Sequence, residues 1–279
     1  MSLRSRSLTL LTTLFPGACL CCGAWLAGGH QLALCRWCLA ALPWNVPSCL
    51  RCAVPLASPA NGPDTCARCT RRSPPYQRTI APLRFEGAPA AWVRKLKDRS
   101  GMVEGRLLGQ LLAIAARDAY DIPAEGLSGI APPAAPAQPP APVRPEVLVP
   151  VPLSLRRLAW RGHNQALSIA RPLQRALDVP MRATGLCRRH QAGRQRGRGR
   201  TERHQQIRGL FRSRRDWQGA VVGLVDDVVT TGATAAEVAR TLLESGAREV
   251  HVLAATRTPP HVPAGADAAA SAAMPPGTC

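Results

Sequence analysis

Aromatic side chains are scarce in this 279-residue chain, at 4% of positions, with only two tyrosines and three phenylalanines. Surfaces that could stack on bases are therefore few. Acid is scarce as well: 17 Asp and Glu stand against 36 Lys and Arg, a formal charge of +19. That imbalance excludes a neutral surface and predicts attraction to polyanions such as nucleic acid, nucleotides or an anionic membrane face. Long apolar runs are missing too. The run from Leu8 to Phe15, preceded by Arg4 and Arg6, is about half of what a spanning helix needs. Pro16 closes it with no small-x-small cleavage site, and the same proline spoils Pro-Gly-Ala-Cys at 16–19 as a lipoprotein box. The expectation is a cytoplasmic chain with no membrane span. Repeats are absent beyond one duplicated pattern of cysteines.

Cysteine, by contrast, is plentiful. Of 11 cysteines, eight fall into four Cys-x-x-Cys pairs: Cys19 and Cys22, Cys35 and Cys38, Cys49 and Cys52, Cys66 and Cys69. In a reducing compartment such pairs point to metal rather than to disulfides. Two thiolates on one tight turn cover two corners of a tetrahedron and a second turn supplies the rest, the closed set that structural Zn²⁺ prefers. A region so small and loop-rich lacks a core, so metal binding supplies its folding free energy. The spacing gives two successive quartets and also admits interleaved ligation, a redox pair or a ribbon without metal. Cys21 is placed to compete with Cys19 or Cys22; Cys187 and Cys279 read as bystanders.

Composition divides the remainder. Residues 1–16 form a helical lead and 17–72 the double zinc ribbon. A domain over 76–257 starts with a β-like stretch at Ile80–Phe85. Two helical faces follow, one through Trp92, Val93 and Leu96, the other through Leu107, Leu108, Leu111, Leu112 and Ala115. Residues 122–146 are a Pro- and Ala-rich insertion without periodicity. Order resumes in a buried-strand pattern from Val147, helical spacing through Ala166, Ile169, Ala170 and Leu173, and a second strand at Ala220–Val225. A helix from about Thr234 to Ser245 with Gly246 as its stop, then a strand at Glu249–Ala254, complete the domain. Residues 258–279 read as a disordered tail. Alternating strands and helices predict an α/β fold with a mostly parallel sheet flanked by helices.

The most specific segment is Val-Val-Gly-Leu-Val-Asp-Asp-Val-Val-Thr-Thr-Gly-Ala-Thr at 221–234. An apolar strand ends in two carboxylates, Asp226 and Asp227, and the turn Thr230, Thr231, Gly232, Ala233, Thr234 opens a helix. Consecutive backbone N–H groups in such a turn form an anion cradle, to which threonine hydroxyls add donors. The carboxylates can accept from a sugar diol or hold water around Mg²⁺. Phosphate and diol recognition side by side describe a ribose 5-phosphate.

This segment resembles the PRPP-binding motif of type I phosphoribosyltransferases. The order of cysteine ribbons, a Leu-Lys segment, Val-Pro-Val-Pro, Arg-Gly-x-Asn-Gln and Val-Asp-Asp-Val-x-Thr-Thr-Gly-Ala-Thr resembles the ComF family. The resemblance implies a phosphoribosyltransferase-like domain in which Asp226 and Asp227 face the ribose hydroxyls of PRPP, with Mg²⁺, and Thr230–Thr234 wrap its 5-phosphate. It further implies a pyrophosphate contact near Arg156 and Arg157, which a solvated basic turn explains equally well. It assigns a role to Arg161, Asn164 and Gln165, the last two of which also suit a helix cap. His163 replaces the family's aromatic, and Asp98-Arg99-Ser100 replaces the aromatic-x-Gly after Lys97. Between 188 and 215 lie eleven arginines, where related enzymes have a hood over the acceptor base. An Arg/Gly/Gln strip is also a phosphate-backbone binder, and the family implies handling of single-stranded DNA during competence. Trp160, Phe211 and Trp217 are the nearest stacking candidates. The acceptor, and hence turnover, is not legible. The two readings are a PRPP-binding phosphoribosyltransferase relative and a non-catalytic single-strand binder with a regulatory or vestigial nucleotide site.

Overall fold

A computed structural model describes residues 17–26, 32–57, 64–98, 101–123, 143–189 and 207–260. The helical lead, most of the Pro/Ala insertion, the middle of the arginine strip and nearly all of the tail lie outside the described residues. Leu42 to Thr258 form one compact unit, and the described residues 17–41 belong to another.

In the smaller unit, two turns carry the first cysteine pairs, and the second pair sits on the short helix α1 (Arg36–Ala40). The larger unit opens with the second quartet, whose last pair sits on α2 (Ala67–Arg71). Then come β1 (Arg78–Ile80), β2 (Leu83–Arg84), α3 (Gly87–Leu96) and α4 (Met102–Ala119). They are followed by β3 (Val147–Pro150), α5 (Leu155–Arg161) and α6 (Gln165–Leu177). The hairpin strands β4 (Leu186–Arg188) and β5 (Phe211–Ser213) precede β6 (Val221–Val229), α7 (Ala233–Glu244) and β7 (Glu249–Arg257).

The sheet runs β1-β7-β6-β3, with β2 also paired to β7, and every pairing is parallel. Strands covered on both faces read as continuous apolar runs, which is why 221–225 and 252–255 carry no polar side chain. On one face Val147, Val149, Val222, Leu224, Val250 and Val252 pack with Val238, Ala239 and Leu242 of α7. The other face meets α4 and α6. These two helices approach closely because Gly109 has no side chain: a Cβ there would lie 2.5 Å from the Ile169 carbonyl oxygen. The parallel sheet flanked by helices is the α/β class expected from the alternation.

The second cysteine turn is built onto this sheet. The Thr79 amide donates to the Leu50 carbonyl at 2.9 Å and its hydroxyl to the Arg51 carbonyl at 2.6 Å. The buried Asn45 amide donates to the carbonyls of Ala53 and Ala81 at 2.9 and 3.0 Å. Residues 42–72 thus share the larger unit with the sheet.

Candidate functional site

Parallel register places the carboxyl ends of β3 and β6 side by side, with Pro150 opposite Val225. From that edge β6 runs on through Asp226 and Asp227 and turns at Thr230. Gly232 takes the left-handed conformation at φ 79° and caps α7, whose first residue is Ala233. The Thr231 hydroxyl accepts from the Ala233 amide at 3.3 Å, and the Gly232 carbonyl takes the first helical bond, from Ala236, at 2.9 Å. The amides of Thr231, Gly232, Thr234 and Ala235 donate to no other described group. Unpaired N–H groups at the start of a 12-residue helix, with the positive end of its dipole, form a ready anion cradle.

Gly232 is required twice over. Its φ is unfavourable for any L side chain, and an added Cβ would lie 3.0 Å from the Tyr76 hydroxyl oxygen. Gly232→Ala should destabilise the chain by about 1–2 kcal/mol and weaken sugar-phosphate binding. Thermal melting beside a ligand titration checks both; an unchanged variant would mean that the turn tolerates rearrangement.

The two acids are unlike. Asp226 is half-buried, and burial, followed by the adjacent charge of Asp227, pushes its carboxyl well above the usual range. One of its oxygens accepts from the Asp227 amide at 2.9 Å. Asp227 faces Lys97, with Nζ and Oδ2 3.7 Å apart. The Leu-Lys segment at the end of α3 therefore reaches the dyad, although the residues after Lys97 depart from the family pattern. Two carboxylates with a cation beside them suit a sugar diol or a hydrated divalent cation.

The other blocks meet this edge in different ways. Arg156 and Arg157 lie exposed on α5, a helix with no buried residue. The Asn164 side chain serves the fold at both ends, accepting from the Ala166 amide and donating to the Val151 carbonyl, each at 3.1 Å. Gln165 is buried and accepts from Arg161 at 3.0 Å. His163 bonds the Leu96 carbonyl at 2.9 Å, tying this block to the segment that carries Lys97. Of the stacking candidates, Trp160 is 71% exposed, whereas Phe211 and Trp217 are 5% and 4% exposed. Burial removes the last two as stacking surfaces: Phe211 of β5 lies in the core, and Trp217 packs inward with its indole N–H on the Ser213 hydroxyl at 2.9 Å. Within the arginine strip, Arg188 and Arg212 lie on the β4–β5 hairpin, and 190–206 lie outside the described residues.

The cysteines resolve into the sequential partition. Cys19, Cys22, Cys35 and Cys38 form one set and Cys49, Cys52, Cys66 and Cys69 the other, each with ligand atoms within 4.8 Å of one another. Sulfurs at the corners of a zinc tetrahedron lie about 3.8 Å apart, given Zn–S bonds of about 2.3 Å. Cys22 and Cys35 are 3.9 Å apart, Cys52 and Cys66 3.7 Å. Backbone amides aim at these sulfurs, that of Cys66 at Cys49 at 3.2 Å and that of Cys35 at Cys19 at 3.4 Å. Hydrogen bonding from the Cys49 thiol draws Cys52 down to about 4 against the opposing effect of burial. Burial and the Cys52 thiol push Cys69 up to about 12. Four thiols this close cannot all ionise unaided, and a divalent cation removes that obstacle. The donor set fits Zn²⁺.

Sequence reasoning missed three residues behind the loop: Arg68, Tyr76 and Arg257. Arg257 carried a signal, being an arginine that follows the apolar run Val252–Ala255 at the end of its strand.

Comparison with known proteins agrees with this arrangement. A model described as a double zinc ribbon domain matches residues 10–78. The DNA utilization protein YhgH of Salmonella typhimurium is 31% identical over 247 residues, covering 87% of this chain and 98% of that one. Competence protein F of Haemophilus influenzae is 28% identical over 190 residues, covering 67% and 76%. This chain belongs to the ComF family. Among solved structures, the glutamine PRPP amidotransferase of Bacillus subtilis has a TM-score of 0.35 at 20% identity, covering 58% of this chain and 30% of that one. For this ComF-family chain, the double ribbon and the parallel sheet flanked by helices match what the order of motifs implied. Among the described residues, no helix is long and apolar enough to cross a membrane.

Proposed function

We propose that this ComF-family chain binds PRPP or a related ribose 5-phosphate, with Mg²⁺, and does so as a phosphoribosyltransferase relative in cytoplasmic DNA utilization. One observation carries the reading: unpaired amides at Thr231, Gly232, Thr234 and Ala235 stand at the carboxyl edge of a parallel sheet beside Asp226 and Asp227. Open α/β sheets bind ligands at that edge. The cradle suits the 5-phosphate and the carboxylates suit the ribose diol. Arg156 and Arg157, on the helix following β3, suit the pyrophosphate oxygens, for which guanidinium geometry is matched. Arg161 at the end of α5, with Asn164 and Gln165 at the start of α6, supports that side. Mg²⁺ held near the two acids would neutralise charge on the pyrophosphate. The test is calorimetric titration of the zinc-loaded chain with PRPP in Mg²⁺; saturable binding supports the reading, and no heat at millimolar ligand ends it.

A second reading, single-stranded nucleic-acid contact, rests on α5. Its residues Arg156, Arg157, Trp160 and Arg161 fall on one side of the helix by the 100° rule, with the Arg161 guanidinium 6.0 Å from the Trp160 ring. Arg188 on the hairpin is lowered first by burial and then by the charge of Arg157, so these two guanidiniums lie near one another. An exposed tryptophan among arginines is a stacking platform with phosphate donors around it. Trp160→Ala should weaken single-strand binding by about fivefold to a hundredfold, leaving PRPP binding intact. Affinity should fall steeply with salt. Fluorescence anisotropy across a salt series checks both; salt-insensitive binding, or none, rules the reading out.

A further inference from the structure

The back of the phosphate loop is gripped from the second cysteine quartet. Arg257 is 3% exposed, and its guanidinium donates through Nε to the Cys52 carbonyl at 2.8 Å. Through Nη1 it reaches the carbonyls of Val229 at 3.0 Å and Thr230 at 2.5 Å, and of Thr258 at 2.6 Å. From the last cysteine pair, Arg68 on α2 donates to the next loop carbonyl, that of Thr231, at 3.4 Å. Three successive carbonyls, 229, 230 and 231, are thus held by two guanidiniums, both bonded to the second zinc ribbon or carried on it.

Peptide planarity gives this grip a consequence. In a trans peptide the C=O and the following N–H point in opposite directions. Fixing the carbonyls of Val229, Thr230 and Thr231 on the ribbon side turns the amides of Thr230, Thr231 and Gly232 toward the opposite side, where the cradle opens. A buried guanidinium is costly unless it is compensated, and Arg257 has no carboxylate partner among the described residues. Four thiolates around Zn²⁺ carry a net charge of about −2, and the Cys52 carbonyl holds Arg257 against that set.

We infer that Arg257 and Arg68 are positioning residues for the sugar-phosphate site, and that the second cysteine quartet, but not the first, holds the phosphate cradle in its binding geometry through them. This rests on the ribose-phosphate reading for its ligand, while its structural half can be read without any ligand. Coupling of this kind is reciprocal: a metal-loaded second quartet favours sugar phosphate, and bound sugar phosphate retards metal loss from that quartet alone.

The experiment uses the full zinc-loaded chain and four variants: Arg257→Met, Arg257→Lys, the exposed Arg68→Ala, and Cys22→Ser as the first-quartet control. Amide exchange is followed over 229–236 without ligand, PRPP affinity is measured by calorimetry, and zinc release to a chelator is timed with and without PRPP. Arg257→Met should speed exchange over 229–236 and weaken PRPP about tenfold to a hundredfold, the range for hydrogen bonds to charged groups. Arg257→Lys should recover part of that loss, and Arg68→Ala should weaken binding about threefold to tenfold. Cys22→Ser should leave exchange over 229–236 unchanged. PRPP should slow one of the two zinc-release phases. Unaltered exchange in both Arg257→Met and Arg68→Ala would overturn the inference, and so would faster exchange over 229–236 in Cys22→Ser. Should the parent chain bind no PRPP, the ribose-phosphate reading falls, and the exchange measurements alone decide whether the ribbon holds the loop.

Discussion

Asp226→Asn should lose PRPP affinity by about tenfold to a hundredfold, and more with Asp227→Asn added, while the single variant melts higher than the parent chain. The two effects have one cause. Burial and the neighbouring Asp227 charge push the Asp226 carboxyl up, so its ionised form is strained in the fold. Asparagine removes the charge and keeps an oxygen for the Asp227 amide, which donates to Asp226 at 2.9 Å. The expected gain is about 2–4 °C in Tm, the shift that about 1 kcal/mol produces in a chain of this size. A raised folded-state pKa contributes stability that is fully present below the unfolded value and is lost as pH rises through the folded one. Acid therefore favours this part of the fold while removing the carboxylate that the diol needs. PRPP binding by the parent chain should weaken as pH falls, with the loss beginning above the ordinary carboxylate range near about 4. A double variant that still binds, or an Asp226→Asn chain that melts lower, would contradict the assignment.

Metal removal should have the largest effect on stability. The chain should carry two zinc ions, one per quartet, measurable by elemental analysis. Stripping them should unfold the described part of 17–41 outright, because so short a segment has little core beyond Leu26, Leu32 and Leu34 and metal binding supplies its folding free energy. In the larger unit the damage should spread. The second quartet is joined to β1 through Thr79, to Ala53 and Ala81 through Asn45, and to the phosphate loop through Arg257. Cys52→Ser should therefore lower the melting temperature of the sheet, and Cys22→Ser should lose one zinc with little change there. Calorimetric melting beside zinc counting separates the two. A chain that purifies without zinc and melts as before would remove the metal from the account.

What the sequence disclosed followed from strong local constraints. Buried parallel strands favour aliphatic runs, so the strands from Val147, at Ala220–Val225 and at Glu249–Ala254 are legible, and α4 is legible through its leucines. The turn at Thr230–Thr234 was legible because its chemistry is local: two acids, small residues and a helix start. Contacts between distant segments were not. Nothing near Arg257 in the chain indicates that its guanidinium spans Cys52 and Thr230, or that the second ribbon shares a compact unit with the sheet. The hairpin of β4 and β5 escaped because strands of three residues carrying Arg188 and Arg212 show no alternation. Phe211 and Trp217, stacking candidates by their position beside arginines, are buried instead, at 5% and 4% exposure. Asn164 suited either a ligand or a helix cap by its sequence, and the cap is what its bonds describe.

The most direct test of the central claim is the amide spectrum of the ¹⁵N-labelled, zinc-loaded chain titrated with ribose 5-phosphate. The amides of Thr231, Gly232, Thr234 and Ala235 should shift together and saturate, with Asp226→Asn, Asp227→Asn abolishing the change. Resonances of that turn that stay fixed while others move, or shifts that persist in the double variant, would show that the sugar phosphate binds elsewhere.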